Sequence, residues 1–195
     1  MNIHTIILAA GEGSRMKSKR AKSLQRVGGK TMLEMICKTA ESISAKITLI
    51  VGFDKNSIIN ESKSFDFEIS TCEQASPIGT GDAVKCGINE VDDADKVLVL
   101  YGDVPLIKKE TLENLVSIDD KSLTILSTKV DDPFGYGRVK KDSNGNVTQI
   151  IEEKDASNED KKIREIFTGI LCCNKVLLEE ALKEIKNDNA AGEYY

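Results

Sequence analysis

The chain has 195 residues, with 27 lysines and arginines against 32 acidic residues, a net charge of −5, one histidine and five cysteines. That length suits one α/β domain able to bury a core without staples, and the acidic balance leaves no electrostatic footprint for nucleic acid. No apolar run of about 18 residues and no signal peptide is legible, so no membrane partner is expected. Cys37, Cys72, Cys86, Cys172 and Cys173 form no C-x-x-C pair, which fits reduced, buried thiols in a cytoplasmic protein. His4, the only imidazole, lies inside an apolar run and reads as a packed histidine, so neither a zinc site nor a Ser-His-Asp or Cys-His arrangement is expected.

The run Ile3 to Leu8 reads as a buried strand that empties into Ala9-Ala10-Gly11-Glu12-Gly13-Ser14-Arg15. Small residues after a strand let backbone approach a ligand, and successive N–H groups there form an anion cradle. Arg15 adds a planar charged fork suited to phosphate. A dinucleotide fingerprint fails because its third glycine is Met16. A Walker-type loop ending in Gly29-Lys30-Thr31 fails because Leu24 stands at its leading glycine and no strand is expected before it. Gly28-Gly29-Lys30-Thr31 reads instead as a turn feeding a helix, with Thr31 and Glu34 at capping-box spacing. Lys17, Lys19, Arg20 and Lys22 form a local basic cluster beside the cradle, suited to polyphosphate or to a solvated face.

Further strands are expected at Ile47–Val51, Lys96–Leu100 and Leu123–Thr128. Helical spacing recurs from Met32 to Ile43, from Ala83 to Ile88 and from Leu112 to Val116. This alternation implies a mostly parallel sheet with right-handed crossovers. After about residue 130, turns at Asp131–Gly135 and Asp142–Gly145 flank short β-rich runs at Gly137–Lys140 and Val147–Glu152, expected as a small β insertion at the sheet's edge. Asp155–Lys162 reads as a short solvated helix or lid, Ile166–Cys173 as a strand, and Leu177 to Ile185 as a last helix. Gly192-Glu193-Tyr194-Tyr195 stops without a trailing loop, as expected of a domain cut at its C-terminal end.

Ligands gather at the carboxyl ends of strands in open α/β sheets, and three such ends carry chemistry here. The first holds the glycine loop, Arg15 and Lys22. The second holds Gln74 and Pro77-Ile78-Gly79-Thr80-Gly81, an amide with a close-approach turn suited to a planar base, or simply a helix start capped by Thr80. The third holds Tyr101-Gly102-Asp103-Val104-Pro105, whose carboxylate suits Mg²⁺ shared with substrate phosphates, or caps the next turn. Together they favour positioning and charge stabilisation over covalent catalysis.

Leu8 to Met16, Lys22, Gln74, Gly79-Thr80-Gly81, Tyr101 to Leu106, Gly135-Tyr136-Gly137-Arg138, Glu152 to Asp155, Thr168-Gly169-Ile170 and Gly192 to Tyr195 occur in order along the chain. The whole run resembles the pyrophosphorylase domain of bacterial bifunctional N-acetylglucosamine-1-phosphate uridylyltransferases. That resemblance implies a Rossmann-like nucleotidyltransferase domain over residues 1–195, of the GT-A type. Its mixed, mostly parallel sheet would be flanked by helices. It also implies Mg²⁺-dependent conversion of UTP and N-acetylglucosamine 1-phosphate to UDP-N-acetylglucosamine and pyrophosphate, a precursor step for peptidoglycan and lipopolysaccharide.

By the same resemblance, Arg15 and Lys22 are catalytic. Leu8, Ala9, Ala10, Gly11, Gly13, Gln74, Gly79, Thr80, Tyr101 and Gly102 bind nucleotide, and Asp103 binds Mg²⁺. Gly137, Glu152, Phe167 and Tyr195 line the sugar site. Departures are Phe167, where the family usually has Asn, and Ala21 and Ser23, where it has Pro and Val. The family's second protein ligand for Mg²⁺, an Asn, and its trimerising β-helix with the acetyltransferase site lie beyond position 195. The alternatives are a related enzyme for another sugar 1-phosphate and a fragment that binds nucleotide without turning it over.

Overall fold

The computed structural model describes residues 1–13, 16–92, 94–118 and 122–195. Strand β1 (Ile3–Leu8) is buried along its whole length. A short hairpin, β2 (Arg26–Val27) and β3 (Lys30–Thr31), leads into helix α1 (Met32–Glu41). Gly28 and Gly29 turn it with φ of 59° and 88°, the left-handed pair that tight hairpins demand. A two-residue strand therefore precedes Gly29-Lys30-Thr31 after all, but it ends in a hairpin rather than a phosphate loop. Thr31 caps α1 as expected, its hydroxyl accepting from the Glu34 N–H at 3.1 Å. The Glu34 carboxylate turns instead to Lys30 at 2.7 Å, so only half of the capping box forms.

The order continues with β4 (Lys46–Val51), α2 (Lys55–Ser62), β5 (Ser70–Glu73), α3 (Thr80–Ile88), β6 (Lys96–Tyr101), α4 (Lys109–Ser117) and β7 (Thr124–Lys129). It closes with β8 (Arg138–Lys141), β9 (Val147–Ile151), β10 (Glu165–Asn174) and α5 (Lys175–Glu184). The main sheet runs β5-β4-β1-β6-β10-β8-β9, with β7 paired to β10. Its first four strands are parallel, and β10, β7, β8 and β9 add antiparallel pairings. The β8–β9 hairpin is the expected insertion after residue 130. The chain thus adopts the anticipated mixed sheet flanked by helices.

Two cores follow from strand alternation. Ile3 and Ile7 face Leu33, Ile36, Ile58, Leu112 and Leu115 from α1, α2 and α4. Ile6 and Leu8 face Ala83, Val84, Leu178 and Leu182 from α3 and α5. His4 is buried and bonded to the Thr48 hydroxyl at 2.8 Å, with its pKa lowered by burial and by Lys46, so it packs rather than catalyses. All five cysteines are unbridged thiols; Cys37, Cys172 and Cys173 are buried as expected, whereas Cys72 and Cys86, near the sheet's edge and α3, are only half-buried. The Asp155–Lys162 segment holds a single 3-10 turn at Asp160–Lys162 rather than a helix. Among the described residues, no helix is long and apolar enough to cross a membrane.

Candidate active site

The parallel strands bring the three chemical strand ends together. Gly102 N–H donates to the Leu8 carbonyl at 2.9 Å, so the ends of β1 and β6 lie side by side. Gln74 N–H donates to the Val51 carbonyl at 2.9 Å, which carries β5 beside β4. One cavity of about 480 Å³ is lined by Leu8, Ala9, Ala10, Gly11, Gly13, Lys22, Gln74, Gly79, Thr80, Tyr101 and Asp103. Met16, Ser23, Pro77, Ala83 and Glu193 complete it. Arg15 lies outside the described residues.

Lys22 is placed by its neighbours on a 3-10 turn, Lys22–Leu24, anchored by fully buried Ala21 and Leu24. The Ala21 N–H bonds to the Asp54 carboxylate at 3.1 Å. Gly13, at φ 64°, leaves the room that the Lys22 stem fills: a Cβ there would sit 2.9 Å from Lys22 Cβ. The ammonium thereby reaches Asp103 and pairs with its carboxylate. Within the basic cluster Lys22 is the cation that lines the cavity, whereas Arg20 lies 3.9 Å from Glu61. A lone carboxylate beside an ammonium is a half-built cation site: it fits Mg²⁺, which keeps waters and takes its remaining oxygens from phosphate. Among the described residues no cluster of three His, Cys, Asp or Glu offers a fuller cage.

The turn from Gln74 to Gly81 is built from glycine and from the far end of the chain. Helix α3 starts at Gly79 without a side-chain cap, so the capping role considered for Thr80 is not realised. Gly79 has φ 130° and ψ 166°, a region essentially closed to other residues. Tyr194 N–H donates to the Ile78 carbonyl at 2.9 Å, and Gly81 N–H donates to the Tyr194 carbonyl at 2.8 Å. Residues 192–195 thus strap the loop, and Gly79 is the point of closest approach, where a Cβ would lie 2.1 Å from the Tyr194 oxygen. The strap also delivers Glu193 to the cavity, a residue of the Gly192–Tyr195 motif to which the sequence assigned no role. Gln74, buried, donates from Nε2 to the Gly79 carbonyl at 3.1 Å and to Asp82 at 2.8 Å. Burial pushes the Tyr101 phenol up, with the Thr80 side chain hydrogen-bonded to it and Gly169 flat against its ring.

None of the four expected sugar-site residues lines the main cavity: Glu152 and Phe167 meet Gly137, while the Tyr195 backbone lies beside Gly81. A Cβ on Gly137 would meet the Glu152 carboxylate at 2.8 Å, and Phe167 N–H donates to the Gly137 carbonyl at 2.9 Å. The Glu152 carboxyl is pushed up by burial and then by Asp155, partly offset by Arg138, with Glu193 adding to the rise. Burial and the Glu193 and Glu152 carboxylates raise the Tyr195 phenol, which is hydrogen-bonded to Glu193. Glu193 therefore links this group to the cavity. Arg138 supports it from below the surface: it is 2% exposed, pairs with Glu153 at 2.6 Å and also donates to the Tyr136 carbonyl. Glu153 in turn accepts from Gly135 N–H at 3.1 Å, fixing the Gly135–Arg138 turn.

Comparison with known proteins bears on family and fold. The model of the MobA-like NTP transferase domain matches residues 5–143. "Bifunctional protein GlmU" of Psychrobacter sp. is 43% identical over 98% of this chain and 42% of its own length. Proteins of the same name from Alcanivorax borkumensis and Clostridioides difficile are 43% and 42% identical over 100% of this chain. The chain spans less than half the length of these curated relatives, 43% in both of the latter. In structure it resembles HddC from Yersinia pseudotuberculosis, with a TM-score of 0.68 and 25% identity, covering 91% of this chain and 79% of that one. The nucleotidyltransferase fold, the convergent cavity and the family match lead to one assignment: this chain belongs to the MobA-like NTP transferase domain family.

Proposed function

We propose that this domain transfers UMP from UTP to N-acetylglucosamine 1-phosphate, with Mg²⁺ as cofactor, forming UDP-N-acetylglucosamine and pyrophosphate. The observation that carries this reading is the convergence of the β1 glycine loop, Lys22, Gln74 and Asp103 on one cavity. A phosphate oxygen of the sugar phosphate attacks the α-phosphorus of UTP in line. The bond from that phosphorus to the bridging oxygen breaks, and its electron pair leaves with pyrophosphate.

The residues divide the work by chemistry. Backbone N–H groups after Ala10 cradle phosphate oxygens, and the Lys22 ammonium meets the charge that develops on the transferring and leaving groups. Arg15 shares that role. Asp103 would hold Mg²⁺, which when bound neutralises triphosphate charge and helps to orient it. Gln74 with Gly79 and Thr80 reads the base, while Tyr101 and Gly102 form the wall beside β1. Gly137, Glu152, Phe167 and Tyr195 receive the sugar, with Glu152 as acceptor for its hydroxyls. The product is a cytoplasmic precursor for peptidoglycan and lipopolysaccharide.

A second sugar is favoured by one observation. Phe167 sits hydrogen-bonded through its backbone to Gly137, and its side chain brings no polar group to that position. A site lacking an amide there relaxes its grip on a sugar hydroxyl. Pyrophosphate release from UTP, measured with N-acetylglucosamine, glucose and galactosamine 1-phosphates and repeated with CTP and GTP, separates the readings. Highest kcat/KM with UTP and N-acetylglucosamine 1-phosphate is expected. Preference for another base overturns the uridylyl assignment, and preference for another sugar replaces the acceptor.

A further inference from the structure

We infer that Asp82 is a positioning residue that sets the base selectivity of the cavity by fixing which edge of the Gln74 amide faces the ligand. The inference rests on the reading above that the cavity takes a uracil nucleotide, and it deepens that reading at a residue that makes no contact with the base itself.

A glutamine amide presents either two donors or one acceptor, and a half-turn about its last bond exchanges them. Here the exchange is blocked. Gln74 Nε2 donates to the Gly79 carbonyl at 3.1 Å and to the Asp82 carboxylate at 2.8 Å. Both partners are oxygens that only accept, so the reverse orientation would set the amide oxygen against two others. The orientation is thus dictated by chemistry rather than chosen among equals. Both amide hydrogens are spent inside the protein. The amide oxygen has no hydrogen-bond partner among the described residues, and Gln74 lines the main cavity.

That leaves a fixed acceptor at the base position. Uracil offers a donor, N3–H, at the centre of its pairing edge, whereas cytosine offers a lone pair at the same atom. An acceptor fixed at that point therefore attracts one and repels the other, the kind of polar mismatch that gives strong discrimination. Asp82 itself lines a separate recess of about 170 Å³ with Lys85, Leu182 and Tyr194. It stands in the first turn of α3, where a carboxylate is favoured by the helix dipole.

Asp82→Asn keeps the shape but replaces one of the two acceptor-only partners with a group that can also donate, which lowers the cost of turning the Gln74 amide. Calorimetric titration of the 195-residue chain with UTP and with CTP reads the result, with circular-dichroism melts to confirm folding. The wild-type protein is expected to bind UTP at least a hundredfold more tightly than CTP. In Asp82→Asn that ratio is expected to fall at least tenfold, with CTP binding held or improved. Asp82→Ser, whose hydroxyl also donates and accepts, gives the same reading should the asparagine variant fail to fold. A parallel loss of both nucleotides, or an unchanged ratio, overturns the role of Asp82 while leaving the uracil reading intact. A wild-type protein that does not prefer UTP overturns the uracil reading and this inference with it.

Discussion

The Lys22 ammonium sits on the Asp103 carboxylate, joining a turn near the start of the chain to the end of β6, 81 residues later. Their side chains are 44% and 27% exposed, so solvent screens the pair and its contribution to stability is small. Both residues line the cavity. On the proposed reading the pair would offer a cation to the negative charge of a triphosphate and an anion to a divalent ion.

Lys22→Ala is therefore expected to separate activity from stability. Loss of one preorganised charge facing the transferring phosphate should lower kcat by about 10²–10³-fold. The melting temperature should move by less than about 4 °C, because an exposed pair is worth at most about 1 kcal/mol. Steady-state kinetics beside a thermal melt check this; equal losses in both would assign Lys22 a structural role.

Asp103→Asn should act on the metal. With its carboxylate gone, the concentration of Mg²⁺ giving half-maximal activity should rise at least tenfold, while the binding of UTP without metal changes little. A Mg²⁺ titration of the initial rate distinguishes this from a simple drop in kcat at every concentration, which would remove Asp103 from the metal site.

Gly79→Ala should open the strap. Its Cβ would collide with Tyr194 backbone, and the residue would be held where only glycine is at ease. The backbone strain alone costs about 1–3 kcal/mol. UTP affinity is expected to fall at least tenfold, with protease cleavage appearing near residues 192–195. Retention of full affinity would show that the strap is not part of the nucleotide site.

Glu152 gives a pH signature. Burial and Asp155 raise its carboxyl in the folded protein above its unfolded value. A raised carboxyl contributes stability that is fully present below the unfolded pKa and lost as pH rises through the folded one. Glu152→Gln should therefore melt at or above the wild-type temperature at neutral pH, with the difference vanishing in acid. In wild-type protein the KM for sugar phosphate should climb as pH falls through a value above the ordinary glutamate range, a climb absent from Glu152→Gln. A variant less stable than wild type at neutral pH would contradict the direction of the shift.

The local signals in the sequence were those in which a residue's neighbours along the chain decide its structure. The β1 run and its glycine loop, the Thr31 cap, the helices α1, α3, α4 and α5, and the β8–β9 hairpin all follow from periodicity and turn chemistry. Helix α2 was not legible because Lys55–Ser62 buries only Ile58 and Ser62 and so carries little periodic signal. Strand β5 was legible only as an end at Gln74, not in its span: at the sheet's edge, Ser70–Glu73 is short and mostly exposed. The loop from Glu73 to Gly81 was recognised from its amide and glycines, but the hold of Asp82 on Gln74 depends on side-chain geometry that no spacing encodes. Glu193 was missed because its place depends on the chain's last residues folding back onto that loop. Arg138 belonged to a recognised motif, yet its burial beneath the Gly137 turn was invisible without the β8–β10 contact.

Calorimetric titration of the 195-residue chain with UTP reads whether separate segments build one nucleotide site. One molecule bound per chain is expected, weakened at least tenfold by Lys22→Ala and by Gln74→Ala alike, since the two residues would serve opposite ends of the same ligand. Absence of binding, or binding that neither substitution alters, would contradict it.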